Sequence, residues 1–261
     1  MFDIEKLLRY ALISKPAGVL AKGVKLNFNG SDYVVISQIK GTEICPCECN
    51  VLAKMVGDTK VKYVVCFKGS VELEDWLHDL MAWQVKWPFS NYGNDTAGVS
   101  VHYGFIDYYK VVRDKLLREL SDIVLTTPIG VIPEVTFCGH SLGGALASIA
   151  LLDCKEMFVQ KIQCSGYTYG SPRVFNATGS RLINIKASIS RVTNKNDIVP
   201  NLPWWSSFKH VGQVYHILND YTISQKDYYI CPLACSAEEH DLKLYINSIQ
   251  MAANLNRMSL R

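Results

Sequence analysis

The chain has 261 residues, long enough for one large domain with a sizeable core. Its composition, 49% hydrophobic, 20% charged and 11% aromatic, is that of a folded globular protein. A formal net charge of +3 with no run of like charges excludes a nucleic-acid footprint, and no apolar stretch is long enough to span a bilayer.

The N-terminal run MFDIEKLLRYALISKP places Ile4, Leu7, Leu8 and Ala11 at helical spacing, which predicts an amphipathic helix. It lacks the basic start and unbroken apolar core of a secretory signal, so the expected location is cytoplasmic, with secretion only if a leader was removed. KLNF and DYVVISQI flank Asn29-Gly30-Ser31, a hairpin signal. Cys45, Cys47 and Cys49 follow in a C-P-C-E-C cluster, expected as a loop. Residues 60–67 (KVKYVVCF) predict a buried strand, and VELEDWLHDLM a helix after Gly69-Ser70. GFIDYYKVVRDKLLREL at 104–120 predicts a second amphipathic helix. An apolar strand and a small-residue helix fill 135–152, and KIQCSGYTYGSPR gives another strand and loop. SRVTNKNDIVP reads as a strand entering a polar turn, VGQVYHIL as a late strand, and the segment from about 237 as helix. Strands alternating with helices predict an α/β fold, a mostly parallel sheet with helices on both faces. The whole chain, 1–261, is expected to be a single domain.

The nine cysteines are read mainly as free thiols. Disulfides are a second reading. A zinc site is a third, which the C-x-C spacing fits poorly.

The run VTFCGHSLGGALASIALL at 135–152 carries the chemistry. Gly139-His140-Ser141-Leu142-Gly143 is a G-x-S-x-G between strand and helix, the setting of a nucleophile elbow. The alternative is a glycine-rich turn with Ser141 as helix N-cap. The run has neither the Lys-Ser/Thr ending of a P-loop nor G-x-G-x-x-G spacing. Ser141 as nucleophile implies an esterase or lipase of the α/β-hydrolase arrangement. A serine hydroxyl needs a base and an orienting carboxylate, found downstream in this fold in the order Ser, acid, His. Asp197 follows a strand and could be lifted to the sheet edge, although it also reads as an Asx-turn residue before Pro200. For the base, spacing leaves His210 and His240 open.

Several ordered blocks resemble the fungal-type, or class 3, lipase family over about residues 60–245. They are VVCFKGS with DWLHDL, VHYGF at 101–105, GHSLGGALA, YGSPRVFN at 169–176, RVTNKNDIVPNLP at 191–203 and KHVG at 209–212. The resemblance implies an α/β-hydrolase fold with Ser141 as nucleophile, Asp197 as acid and His240, in EEHDLKLYI, as base. His210 remains the alternative base. It also implies an oxyanion hole from Ser70 and the Leu142 N–H, with no metal or organic cofactor. Ser70 could also cap the following helix. Lys68 stands where the family usually has Arg, and an ammonium does not replace a bidentate guanidinium equivalently.

In that family the segment at about 82–99 is a lid. Here it carries Trp83, Val85, Trp87, Phe89 and Tyr92, with Trp204 and Trp205 as a second rim. Aromatics that open onto lipid favour an acylglycerol substrate and transient contact with a lipid interface. The alternative is that they pack on the core. A phospholipid acyl hydrolase, a general carboxylesterase or an acyltransferase would use the same elbow, and an inactive lipase-like binding protein is the non-enzyme reading. Residues 1–50, with the helix, hairpin and cysteine cluster, lie largely outside the resemblance.

Overall fold

The computed structural model describes residues 3–15, 20–43, 45, 47–56, 59–69, 83–89, 96–204, 207–226 and 236–259. The helix expected at 71–81 and residues Ser70, Tyr92, Trp205, Cys231 and Cys235 lie outside them.

Asp3 starts helix α1 (Ile4–Ser14) by accepting the Lys6 N–H on its carboxylate. Strands β1 (Lys25–Phe28) and β2 (Ser31–Lys40) form the expected hairpin. Its two turn residues, Asn29 and Gly30, sit at φ 48° and 70°, the left-handed pair of a two-residue hairpin turn. Strands β3 (Glu48–Val56) and β4 (Thr59–Phe67) continue the antiparallel meander. The cysteine cluster keeps the loop expectation at Cys45 and Cys47 and departs from it at Cys49, which pairs with Phe67 across the sheet; Cys47 and Cys49 are buried. The two thiols belong to the same buried cluster as Val51, Ala53 and Phe67 and pack as small hydrophobes.

A separate two-stranded ribbon pairs β5 (Gln84–Lys86) with β6 (Ser100–His102), which leads directly into α2 (Tyr103–Thr126). Strand β7 (Glu134–His140) feeds α3 (Leu142–Met157), then β8 (Gln163–Tyr169), α4 (Ala177–Lys186), β9 (Ser188–Asn194), β10 (Gln213–Ile217), β11 (Ile223–Ser224) and α5 (Leu242–Ser259). The sheet order is β1-β2-β3-β4-β7-β8-β9-β10-β11. Its centre, β4 to β10, is parallel, and antiparallel strands extend it on both sides. Helices cover both faces. Leu7, Leu8 and Ala11 of α1 pack with Tyr245, Ile246 and Ile249 of α5 on one side, while α2 and α3 join the larger core on the other. Helix α3 is buried from Leu142 to Cys154, which is why its sequence is apolar all round rather than striped. Among the described residues, no helix is long and apolar enough to cross a membrane.

One buried charge ties α2 to α3. The Asp153 carboxylate accepts two bonds from Arg113, at 2.7 and 3.1 Å, and one from the Tyr109 hydroxyl at 2.9 Å. Burial still holds the Asp153 carboxyl above its ordinary range, against the pull of Arg113. Replacing Arg113 by Met strands that carboxylate and is expected to cost about 3–5 kcal/mol. An acid whose folded pKa exceeds its unfolded one keeps a proton in the folded state, so its stability falls as pH rises through that window. The loss in the variant should thus be largest at neutral pH and shrink on acidification. Urea unfolding of both proteins at about pH 7 and about pH 5 measures this.

Candidate active site

Ser141 stands between β7 and α3 with φ 58° and ψ −127°, a conformation costly for a residue with a side chain, roughly 1–3 kcal/mol. It makes no side-chain cap bond to α3, so helix capping does not account for it. The turn is held by the Ser141 N–H, which donates to the Tyr169 carbonyl at 2.9 Å. A Cβ on Gly139 would lie 2.3 Å from the Gly143 carbonyl carbon, and one on Gly143 2.4 Å from the Phe67 carbonyl oxygen. Both glycines are therefore required for the strand, the helix and the neighbouring strand to meet at this serine.

Asp197 follows β9 and is 1% exposed. Its Oδ1 accepts the Val199 N–H at 2.9 Å, so the Asx-turn reading is correct and fixes the carboxylate. Its Oδ2 is left for other donors. His240 Nδ1 donates to it at 2.8 Å, and the Tyr245 hydroxyl donates to the same oxygen. The segment carrying His240 is docked on the acid's own loop: Ser236 N–H bonds Asn196 O at 2.9 Å, and Asn194 Nδ2 reaches the Glu239 carboxylate at 3.1 Å. Gly170, at φ 56°, lies against the pair, where a Cβ would come within 2.9 Å of the His240 ring and 3.0 Å of the Asp197 carboxylate. Ser141 Oγ and His240 Nε2 are both buried and have no hydrogen-bond partner among the described residues. They are the two atoms between which a nucleophile would hand its proton to a base.

His210 is placed differently. Its Nε2 donates to the Pro200 carbonyl at 2.6 Å, and burial keeps the ring well below its ordinary pKa. That nitrogen is occupied by main chain, and the Asp197 carboxylate is paired with His240, so the geometry favours His240 over His210 as the base.

Leu142 opens α3 and is buried. The N–H groups of Gly144 and Ala145 return to the Ser141 carbonyl, whereas Leu142 belongs to the first-turn donors that a helix cannot use internally. The end of β4 approaches closely, since a Cβ on Gly69 would lie 2.8 Å from the His140 carbonyl oxygen. Ser70, the next residue, is outside the described residues. Among the described residues Lys68 makes one ion pair, to Glu48 at 3.4 Å, the monodentate contact expected of an ammonium.

The aromatic segment divides. Trp83 is 66% exposed and stacks on Tyr103 at 5.1 Å. Val85 is half-buried in β5. Trp87 is buried, edge-on to Phe89 and tilted over Phe175. Phe89 meets Tyr109 edge-on and carries the Arg113 guanidinium over its ring at 3.9 Å. Packing on the core thus holds for Trp87 and Phe89, while Trp83 and the 44%-exposed Trp204 face solvent. Two residues near the pair escaped the sequence reading. Tyr245 shares the acid's oxygen, and His140 contacts the His240 backbone. A buried-face tyrosine one helical turn past the candidate base was the available signal for the first.

Residues 64–207 match the family model described as Lipase (class 3). The chain is 33% identical over 175 residues to the secreted mono- and diacylglycerol lipase A of Penicillium cyclopium, an alignment covering 66% of this chain and 54% of that protein. It is 32% identical over 168 residues to a lipase of Rhizomucor miehei, covering 63% and 44%. The chain thus spans about half the length of these curated relatives. Among solved structures, the Rhizomucor miehei lipase propeptide complex superposes with a TM-score of 0.74 at 25% identity, over 91% of this chain and 78% of that one.

Proposed function

The chain belongs to the class 3 lipase family, and from that premise we propose that it is a serine hydrolase cleaving acylglycerol esters. The observation that carries the reading is the buried Asp197–His240 contact at 2.8 Å, together with the unpartnered Ser141 Oγ and His240 Nε2. Ser141 attacks the ester carbonyl while His240 Nε2 takes its proton. Asp197 fixes the tautomer that leaves Nε2 free and stabilises the imidazolium that forms. The Leu142 N–H and Ser70 hold the oxyanion. His240 then returns the proton to the departing alcohol, and water, deprotonated by the same imidazole, releases the fatty acid from Ser141. The site lies in one α/β-hydrolase domain spanning 1–261.

The acylglycerol preference draws on the relative from Penicillium cyclopium, named a mono- and diacylglycerol lipase, and on the exposed Trp83 and Trp204, which suit a lipid surface. Val85, Trp87, Phe89 and Tyr92 complete the proposed lid, with Trp87 and Phe89 as its anchor in the core. A lipase of this kind hydrolyses long-chain esters faster than short ones, and its rate rises as a short-chain ester passes its solubility limit. Rates on a chain-length series of p-nitrophenyl esters and on tributyrin across that limit measure both. A rate that neither rises at the limit nor favours longer chains would assign a plain carboxylesterase instead. The N-terminal run, without a basic start or an unbroken apolar core, is the ground for a cytoplasmic location. The word secreted in the relative's name favours the alternative, export behind a leader.

A further inference from the structure

We propose that His140, which stands before the serine in the G-x-S-x-G turn, is a positioning residue that locks the base to the nucleophile elbow. The inference rests on the serine-hydrolase reading above and adds a role that the motif itself leaves blank.

His140 Nε2 lies 2.7 Å from the carbonyl oxygen of His240. A carbonyl only accepts, so this nitrogen carries the proton and donates. The acceptor is one that local structure leaves open. His240 ends a short 3₁₀ turn, Glu238–His240, and α5 starts late: the Leu244 and Tyr245 N–H groups both go to Asp241, one residue beyond. The imidazole of His140 takes the place of that missing helical donor.

The ring also lies beside its partner's, with the two planes tilted by 33°. The His140 and His240 centroids are 4.5 Å apart, and the His140 and Tyr245 rings meet at 5.8 Å, nearly perpendicular. Asp197 holds the His240 ring at Nδ1, the Tyr245 hydroxyl holds that same carboxylate oxygen, and His140 holds the His240 backbone. Two independent grips on one residue fix both where its ring starts and how it is turned.

The other end of the link is rigid. His140 is covalently next to Ser141, whose N–H is bonded to Tyr169, and the glycines around it sit where strand and helix leave no room for a Cβ. A displacement of the base relative to Ser141 must therefore stretch the 2.7 Å bond. Spacing errors of about 1 Å between reacting groups can cost on the order of a hundredfold in rate.

Histidine suits the place for a chemical reason. Burial, and next the charge that His240 can carry, hold the His140 ring well below its ordinary pKa, so it stays neutral. It can thus donate to the base's backbone without setting a second positive charge beside the imidazolium that forms on His240. A lysine or arginine there would donate equally well and oppose that charge.

The test uses the full chain with His140→Met, which keeps length and bulk but has no donor, and His140→Gln, whose Nε2 can stand where the imidazole Nε2 stands. Steady-state kcat and KM are measured on p-nitrophenyl butyrate beside wild type and Ser141→Ala, with thermal unfolding as the check on folding. The expected result is that His140→Met lowers kcat about 10- to 100-fold with KM nearly unchanged, while His140→Gln stays within about threefold of wild type. A ring that only fills space would lower stability and leave the kcat of the folded protein alone. The inference is overturned if folded His140→Met keeps wild-type kcat, or if folded His140→Gln falls as far as His140→Met. Should His140→Met fail to fold, His140→Asn replaces it, since its donor stops short of the carbonyl; equal kcat for the Asn and Gln variants then overturns the inference. Wild type no faster than Ser141→Ala sinks the hydrolase reading and this inference together. Wild type far faster than Ser141→Ala, with His140→Met unaffected, sinks this inference alone.

Discussion

Ser141→Ala lowers turnover of a soluble ester about a millionfold, because members of a catalytic triad act as a unit and no other group replaces the nucleophile. Alanine carries the same Cβ as serine, so the strained φ of 58° is neither relieved nor worsened, and the elbow glycines keep their contacts. The Oγ makes no hydrogen bond among the described residues, so its loss breaks no structural contact. The variant should fold with wild-type stability and bind substrate with similar KM where KM reports binding. A steady-state assay with a thermal melt reads all of this. Residual activity within tenfold of wild type would mean that Ser141 is not the nucleophile.

The second large effect is expected from Asp197→Asn, about ten-thousandfold in kcat. The carboxylate serves three donors: Val199 N–H at Oδ1, and His240 Nδ1 and the Tyr245 hydroxyl at Oδ2. An amide has one acceptor oxygen and one NH₂. If the NH₂ takes the place of Oδ2, His240 must turn its unprotonated nitrogen toward it. Its proton then moves to Nε2, where it cannot accept the Ser141 proton. If the amide is flipped, its NH₂ faces the Val199 N–H and the Asx turn is broken. The first arrangement gives the base the wrong tautomer, and the second loses the Asx turn and the negative charge that stabilises the imidazolium, while the buried volume is unchanged. Measured kcat on p-nitrophenyl butyrate, with KM little altered, checks the expectation. A fall of less than tenfold would place the orienting carboxylate elsewhere.

The readable and unreadable parts of this chain differ by the range of the forces that set them. The Asn29-Gly30 hairpin and the elbow were legible because glycines and left-handed turn residues act within a few positions. Asp197 was legible twice over, as an Asx-turn residue and as the candidate acid, and its two oxygens keep the turn contact apart from the His240 contact. The choice between His210 and His240 was not available from spacing. It depends on which loop docks on the 194–197 turn, and contacts more than 40 residues apart decide that. The start of strand β3 was hidden because C-P-C-E-C looks like a turn, whereas its last cysteine, Cys49, is a core residue of the strand. The run Trp83, Val85, Trp87, Phe89 alternates with the period of a strand, and it enters and leaves the ribbon strand β5, with burial rising from Trp83 to Trp87. His140 carried no local signal, since its partner is a backbone carbonyl 100 residues away.

The central claim is that Ser141 is an activated nucleophile, and the most direct test is labelling with a fluorophosphonate followed by peptide mass spectrometry. The account predicts one adduct per chain, on the peptide carrying Gly139-His140-Ser141, formed by wild type and absent from Ser141→Ala. An adduct on another residue, or equal labelling of the two proteins, would contradict it.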